Sequence, residues 1–129
     1  MNRAKTPTVL LVDDEQEVRS IIADILRNEG YRVLEAASGH EALAASDAHP
    51  GNIDLLLTDL IMPGMTGRML ADLLGSRRPG ITVVFISGHV IDPSDSLPEQ
   101  GINFIQKPVT AETLLKKISE ALSGKTKDR

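Results

Sequence analysis

The run Leu55-Leu56-Leu57-Thr58-Asp59 constrains this chain more than any other feature. The central strand is read from Ile53 to Thr58, and its run from Leu55 is apolar, does not alternate and is too short for a helix, the mark of a strand covered on both faces. Pro63, Gly64 and Gly67 follow, so the chain turns there instead of continuing as a strand. Asp59 therefore stands at the carboxyl end of a buried strand, where open α/β sheets bind their ligands. A plain turn aspartate has the same local signature. The other strand ends decide between the two.

They repeat the pattern. Thr8-Val9-Leu10-Leu11-Val12 reads as another buried strand and ends in Asp13-Asp14-Glu15. Tyr31-Arg32-Val33-Leu34-Glu35-Ala36 is more mixed and suits a sheet edge. Ile81-Thr82-Val83-Val84-Phe85-Ile86 ends in Ser87-Gly88, and Asn103-Phe104-Ile105-Gln106 is closed by Lys107-Pro108. Helical stripes lie between these strands. Val18, Ile21, Ile22, Ile25 and Leu26 predict a first helix, with Asp14 as its cap and Gly30 as its stop. Ser38 and Glu41 have capping-box spacing and open an Ala-rich helix that ends before Pro50-Gly51. Met69, Leu70, Leu73 and Leu74 form the face of a third. Thr110 caps the last helix, whose face is Leu114, Leu115, Ile118 and Leu122. The segment 90–101 is broken by Pro93 and Pro98 and predicts a short helix or an ordered loop. Residues 1–7 read as a flexible lead-in, 8–122 as the domain and 123–129 as a polar tail.

Five strands alternating with helices predict an α/β fold, a doubly wound parallel sheet with helices on both faces. A length of 129 residues supports one such domain with one real core. Aromatic residues are only 2% and acids outnumber bases 18 to 14, which removes both the stacking platform and the basic footprint of a nucleic-acid binder. There is no cysteine, so disulfides and thiol chemistry are excluded. No apolar run has the length of a membrane span. A cytoplasmic domain, neither inserted in the membrane nor bound to nucleic acid, is the expectation.

All strand ends of one kind lie on one edge of a parallel sheet, so Asp13, Asp14, Asp59, Ser87 and Lys107 must converge. Three carboxylates in one crevice repel, and unassisted at least one pKa rises. A hard divalent cation relieves this, and Mg2+ suits oxygen ligands with retained waters. Asp14 and Asp59 are the expected direct ligands, Asp13 acts through water, and the Ile61 backbone carbonyl adds an oxygen. Ser87 supplies a hydroxyl and Lys107 a mobile cation. Metal, hydroxyl and ammonium around one carboxylate are the parts that stabilise a transferring phosphoryl group, with the carboxylate as nucleophile.

Across nearly its whole length the chain resembles the receiver domain of bacterial two-component response regulators. The matching elements are Val12-Asp13-Asp14-Glu15, Asp59-Leu60-Ile61-Met62-Pro63-Gly64-Met65-Thr66-Gly67, Ser87-Gly88 and Lys107-Pro108. The resemblance implies a flavodoxin-like strand order of 2-1-3-4-5 and phosphorylation of Asp59 by a phosphohistidine on a histidine kinase or histidine phosphotransfer protein. It implies a signalling domain that promotes its own phosphorylation and dephosphorylation. It further implies a switch in which Ser87 turns toward the phosphate and Phe104 moves inward. The wording of Met62 to Arg68 and of Phe104 to Pro108 is most similar to receivers attached to hybrid sensor histidine kinases. Two departures stand out: Val109 replaces a frequent aromatic, and the proline-broken stretch after Ser87 is short for a full fourth helix.

Rival readings fare worse. An aspartyl phosphatase on a similar sheet places a second aspartate two residues after the nucleophile, and here that residue is Ile61. A flavodoxin-like cofactor carrier needs a phosphate-binding loop after the first strand, where this chain has Asp13-Asp14-Glu15. A degenerate receiver that only binds partners would not need the intact acidic set. His40, His49 and His89 share no metal-ligand spacing, and His89 is expected to flank the crevice.

Overall fold

A computed structural model describes residues 6–88 and 103–127. The chain runs β1 (Thr8–Val12), α1 (Gln16–Asn28), β2 (Arg32–Ala36), α2 (Gly39–Ala48), β3 (Leu55–Asp59), α3 (Gly67–Arg77), β4 (Thr82–Ser87), β5 (Asn103–Gln106) and α4 (Ala111–Lys127). The five strands form one parallel sheet in the order β2-β1-β3-β4-β5. The expectations for segment 90–101 and for His89 lie outside the described residues.

Strand pleating explains the unbroken apolar runs. Val9, Leu11, Leu55, Leu57, Val84 and Ile86 pack with Ile22 and Leu26 of α1 and Leu114 and Ile118 of α4. The alternate residues Leu10, Val12 and Leu56 pack with Ala42 of α2 and Leu70 and Leu74 of α3. Each central strand thus needs apolar side chains at every position, because successive residues point to opposite, covered faces. β2, on the edge, carries Arg32 and Glu35 and is only partly buried.

Several local expectations need correction. β3 begins at Leu55, not Ile53, and includes Asp59, which is in register with Ile86 of β4. Asp14 does not cap α1: the N-cap is Glu15, and its N–H donates to Asp13 Oδ1 at 2.9 Å. The α1 stripe is also rotated, since Ala23 is buried whereas Ile21 is 59% exposed. In α3 only Leu70 and Leu74 of the expected face are buried, and Met69 and Leu73 lie outside it. The last helix continues past Leu122 to Lys127.

The Ser38 hydroxyl caps α2 by accepting from Glu41 N–H, but Glu41 Oε1 reaches back to the Ala37 N–H, one residue before the cap. Thr66 and Thr110 hydroxyls accept from Met69 and Thr113 N–H. Arg78, at the end of α3, ties down the end of α2. Its guanidinium donates to Ser46 Oγ and to the carbonyls of Ser46, His49 and Gly51 at 2.7–3.0 Å. Carbonyls at a helix end lack intrahelical donors, and Arg78 supplies them.

Candidate functional site

The carboxyl edge of the sheet carries the predicted residues. Asp13 follows β1, Asp59 and Ser87 are the last residues of β3 and β4, and Lys107 follows β5. Backbone bonds hold these ends together: Leu60 N–H donates to the Ile86 carbonyl at 2.7 Å, and Lys107 N–H to the Ser87 carbonyl at 2.8 Å. The turn after β3 brings α3 back so closely that a side-chain carbon on Gly67 would collide with the Asp59 carbonyl. Gly64, at φ +78°, makes the reversal in a backbone region that favours glycine.

Asp13, Asp59 and Ser87 are buried, and Asp14 is exposed at the mouth. Ligand oxygens of Asp13, Asp14 and Asp59 lie within 4.8 Å of one another. Lys107 Nζ donates to Asp59 Oδ2 and to Glu15 Oε1, each at 3.3 Å. It stands 3.2 Å from Asp13 Oδ2, an ion-pair distance, yet that oxygen is buried and accepts no hydrogen bond. Asp59 Oδ1 accepts a long bond, 3.4 Å, from the Ile61 N–H.

These contacts set the electrostatics. Burial pushes the Asp59 carboxyl above its ordinary value; the Lys107 charge opposes this, and Asp13 adds to it. Burial alone would lower Lys107, but the carboxylates of Asp13 and Asp59 outweigh it and hold the ammonium above its ordinary value. The expected rise of one carboxyl therefore falls on Asp59, with desolvation ahead of repulsion as the cause.

A buried carboxylate oxygen without a hydrogen bond, in a set of three converging acids, is the donor chemistry that a hard divalent cation satisfies. The residues present fit Mg2+. The family model for the response regulator receiver domain matches residues 9–119. The chain belongs to that family. Sensor kinase CckA of Brucella abortus is 38% identical over 117 residues, which cover 89% of this chain and 12% of that protein. A cyclic di-GMP phosphodiesterase of Thermotoga maritima is 31% identical over 122 residues, 92% of this chain and 32% of that one. The crystal structure of the receiver domain from hybrid histidine kinase CckA superposes with a TM-score of 0.77 at 40% identity, covering 89% of this chain and 98% of that one. A CheY-like receiver from Methanospirillum hungatei gives 0.84 at 31% identity, covering 97% and 100%. This receiver thus spans well under two thirds of the two curated relatives, and the likeness to hybrid-kinase receivers read from its sequence has a counterpart in the receiver structure from hybrid histidine kinase CckA. Among the described residues no helix is long and apolar enough to cross a membrane.

Phe104 is half-buried and in register with Phe85, while Ser87 is in register with Gln106. Pleating puts Phe85, Ser87 and Phe104 on one face of the β4–β5 pair. Sequence reasoning missed two neighbours of the site. Glu15 shares the Lys107 ammonium, and Arg19 Nη1 donates to the Asp13 carbonyl at 2.8 Å. A groove of about 460 Å³, lined by Val18, Ile21, Ile22, Gly88, Pro108 and Val109, opens beside Lys107. A second hollow, of about 410 Å³, lies at the opposite edge around Thr8, Arg32 and Asp54 and holds none of the predicted site residues.

Proposed function

We propose that this receiver accepts a phosphoryl group on Asp59 from a phosphohistidine of a histidine kinase or histidine phosphotransfer protein, with Mg2+ as cofactor. The observation that carries the reading is the placement of Lys107 Nζ 3.3 Å from one Asp59 oxygen while Asp13 and Asp14 converge on the same crevice. The Asp59 carboxylate is the nucleophile. An oxygen–phosphorus bond forms as the nitrogen–phosphorus bond breaks, and the imidazole leaves with the electron pair. Lys107 meets charge on the transferring oxygens with its N–H donors. Asp13, Asp14, Asp59 and the Ile61 carbonyl would hold Mg2+, which supplies charge neutralisation for the phosphoryl oxygens. Asp14, free of any capping role, and Asp59 are the direct ligands in this reading, with Asp13 acting through water.

The partner's histidine reaches Asp59 over the groove that Ile21 and Val109 line. Val109, smaller than an aromatic, leaves that approach open. After transfer, Ser87 donates to a phosphoryl oxygen, and Phe104 follows on the same sheet face, so that the domain signals by a change at β4 and β5. The domain promotes both gain and loss of its phosphoryl group and acts in the cytoplasm.

Transfer from a radiolabelled phosphohistidine protein tests the reading. Label should move to the wild type in Mg2+, and stay on the donor with EDTA or with Asp59→Asn. Label transfer to Asp59→Asn at the wild-type rate would overturn it.

A further inference from the structure

The Asp13 main chain and side chain are held at three points. Its N–H donates to the Ala36 carbonyl at 3.2 Å, its Oδ1 accepts from Glu15 N–H at 2.9 Å, and its carbonyl accepts from Arg19 Nη1 at 2.8 Å. The first two bonds use backbone N–H donors, the second of them meeting the Asp13 carboxylate itself. The third depends on one side chain. Arg19 stands in the first turns of α1 and reaches back across the helix start; although cationic, its side chain is only 15% exposed. It is not left to choose its own direction. Glu35 on β2 takes Arg19 Nε on one oxygen at 3.2 Å and Arg27 Nη1 on the other at 3.1 Å, and Arg27 Nη2 is itself fixed on the Val33 carbonyl at 3.1 Å.

With the other atoms of Asp13 committed, Oδ2 is aimed into the crevice, where it faces the Lys107 ammonium at 3.2 Å. We infer that Arg19, oriented by Glu35, is a positioning residue that fixes the Asp13 carboxylate for the divalent cation. This inference rests on the functional reading above for the presence of the cation. It makes a prediction of opposite sign to the simplest electrostatic one. Removing a positive charge beside an acidic site should by itself strengthen cation binding. If Arg19 acts by holding Asp13, its loss weakens binding: Asp13 meets the cation through water and is itself an outer partner, a class that contributes about tenfold or more in metal affinity, and Arg19 keeps it in place. Arg19→Lys separates charge from geometry: it keeps the cation and loses the planar fork that serves Asp13 and Glu35 together.

The test is an Mg2+ titration of the whole chain, followed by the 15N–1H signal of Glu15 in metal-free protein, which reports the bond to Asp13 Oδ1. For Arg19→Met we expect about a tenfold loss of Mg2+ affinity and a displaced Glu15 amide that exchanges faster with solvent. Arg19→Lys should fall between Arg19→Met and wild type. Folded Arg19→Met that binds Mg2+ as tightly as wild type, or more tightly, overturns the inference. If wild type itself binds no Mg2+, the functional reading fails, and the metal-free amide still decides: an unmoved Glu15 signal in Arg19→Met overturns the positioning role. Should Arg19→Met not fold, Glu35→Gln decides, since it leaves every residue bonded to Asp13 in place. A displaced Glu15 amide and weaker Mg2+ binding support the inference, and wild-type behaviour in both overturns it.

Discussion

The same substitution at two glycines of α3 should have opposite effects. At Gly67, a Cβ would collide with the Asp59 carbonyl oxygen and come to 3.0 Å from Leu60 Cα and 3.1 Å from the Asp59 carbonyl carbon. All three are backbone atoms, so no side-chain rotation relieves the contact, and α3 or the end of β3 must shift. Overpacking of this kind costs about 1–3 kcal/mol. Alanine recovers at most about 1 kcal/mol of helix propensity, and less at the first helical position, so the net loss is about 1–2 kcal/mol. At Gly75, one residue after the buried Leu74, no heavy atom lies within 4 Å of the added carbon. Only the propensity gain remains there, about 0.5–1 kcal/mol. For a domain of this size 1 kcal/mol corresponds to roughly 4 °C in Tm. Thermal melts should therefore place Gly67→Ala roughly 4–8 °C below wild type and Gly75→Ala roughly 2–4 °C above it. Because the collision is with the carbonyl of Asp59, one of the three converging acids, Gly67→Ala should also weaken Mg2+ binding while Gly75→Ala leaves it alone. Equal melting points for the two variants would refute the steric account of the β3–α3 turn.

Three further predictions follow from the same geometry. In EDTA at neutral pH, Asp59→Asn should be more stable than wild type, since burial raises the Asp59 carboxyl above its ordinary 3.8. A raised carboxyl pKa costs folded-state stability as pH rises through it, so the advantage should disappear below the ordinary value, and saturating Mg2+ should reverse the order by stabilising wild type alone; denaturant titrations across pH check this, and a pH-independent difference would contradict it. Lys107, held above its ordinary 10.5 by Asp13 and Asp59, contributes no titration in that range and loses its contribution only above 10.5. Arg78→Met should destabilise the fold by about 1–3 kcal/mol in urea unfolding, because it strips donors from the carbonyls of Ser46, His49 and Gly51. Ser87→Ala should still gain a phosphoryl mimic, beryllofluoride, at Asp59 but lose the chemical-shift changes around Phe104; wild-type shifts there would return Phe104 to a core aromatic.

The strands were legible because a sheet covered on both faces demands unbroken apolar runs, and Val9 to Val12 and Leu55 to Leu57 supply them. The site was legible for a related reason. A polar residue that ends such a run has one edge of the sheet to occupy, so Asp13, Asp59, Ser87 and Lys107 had to meet. Helix rotation was less so. Five apolar residues at helical spacing mark a stripe wider than the sheet contact, and nothing local says that Ala23 enters the core while Ile21 stays out. Asp14 is the capping side chain nearest the α1 stripe, but the helix starts one residue later, with Glu15 at the N-cap and no side-chain cap bond. The bonds from Arg19 to Glu35 and from Arg78 to the end of α2 join residues 16 and about 30 positions apart. Long side chains meeting across elements leave no spacing signal in a single sequence.

The central claim is that Asp59 alone becomes an acyl phosphate. An acyl phosphate is reduced by borohydride to the alcohol, which converts aspartate to homoserine and marks the site permanently. After incubation with acetyl phosphate and Mg2+, reduction and peptide mass spectrometry should find homoserine at position 59 and at neither Asp13 nor Asp14, with none formed in EDTA. Homoserine at position 13 or 14, or an unmodified Asp59 in protein shown to bind Mg2+, would contradict the assignment.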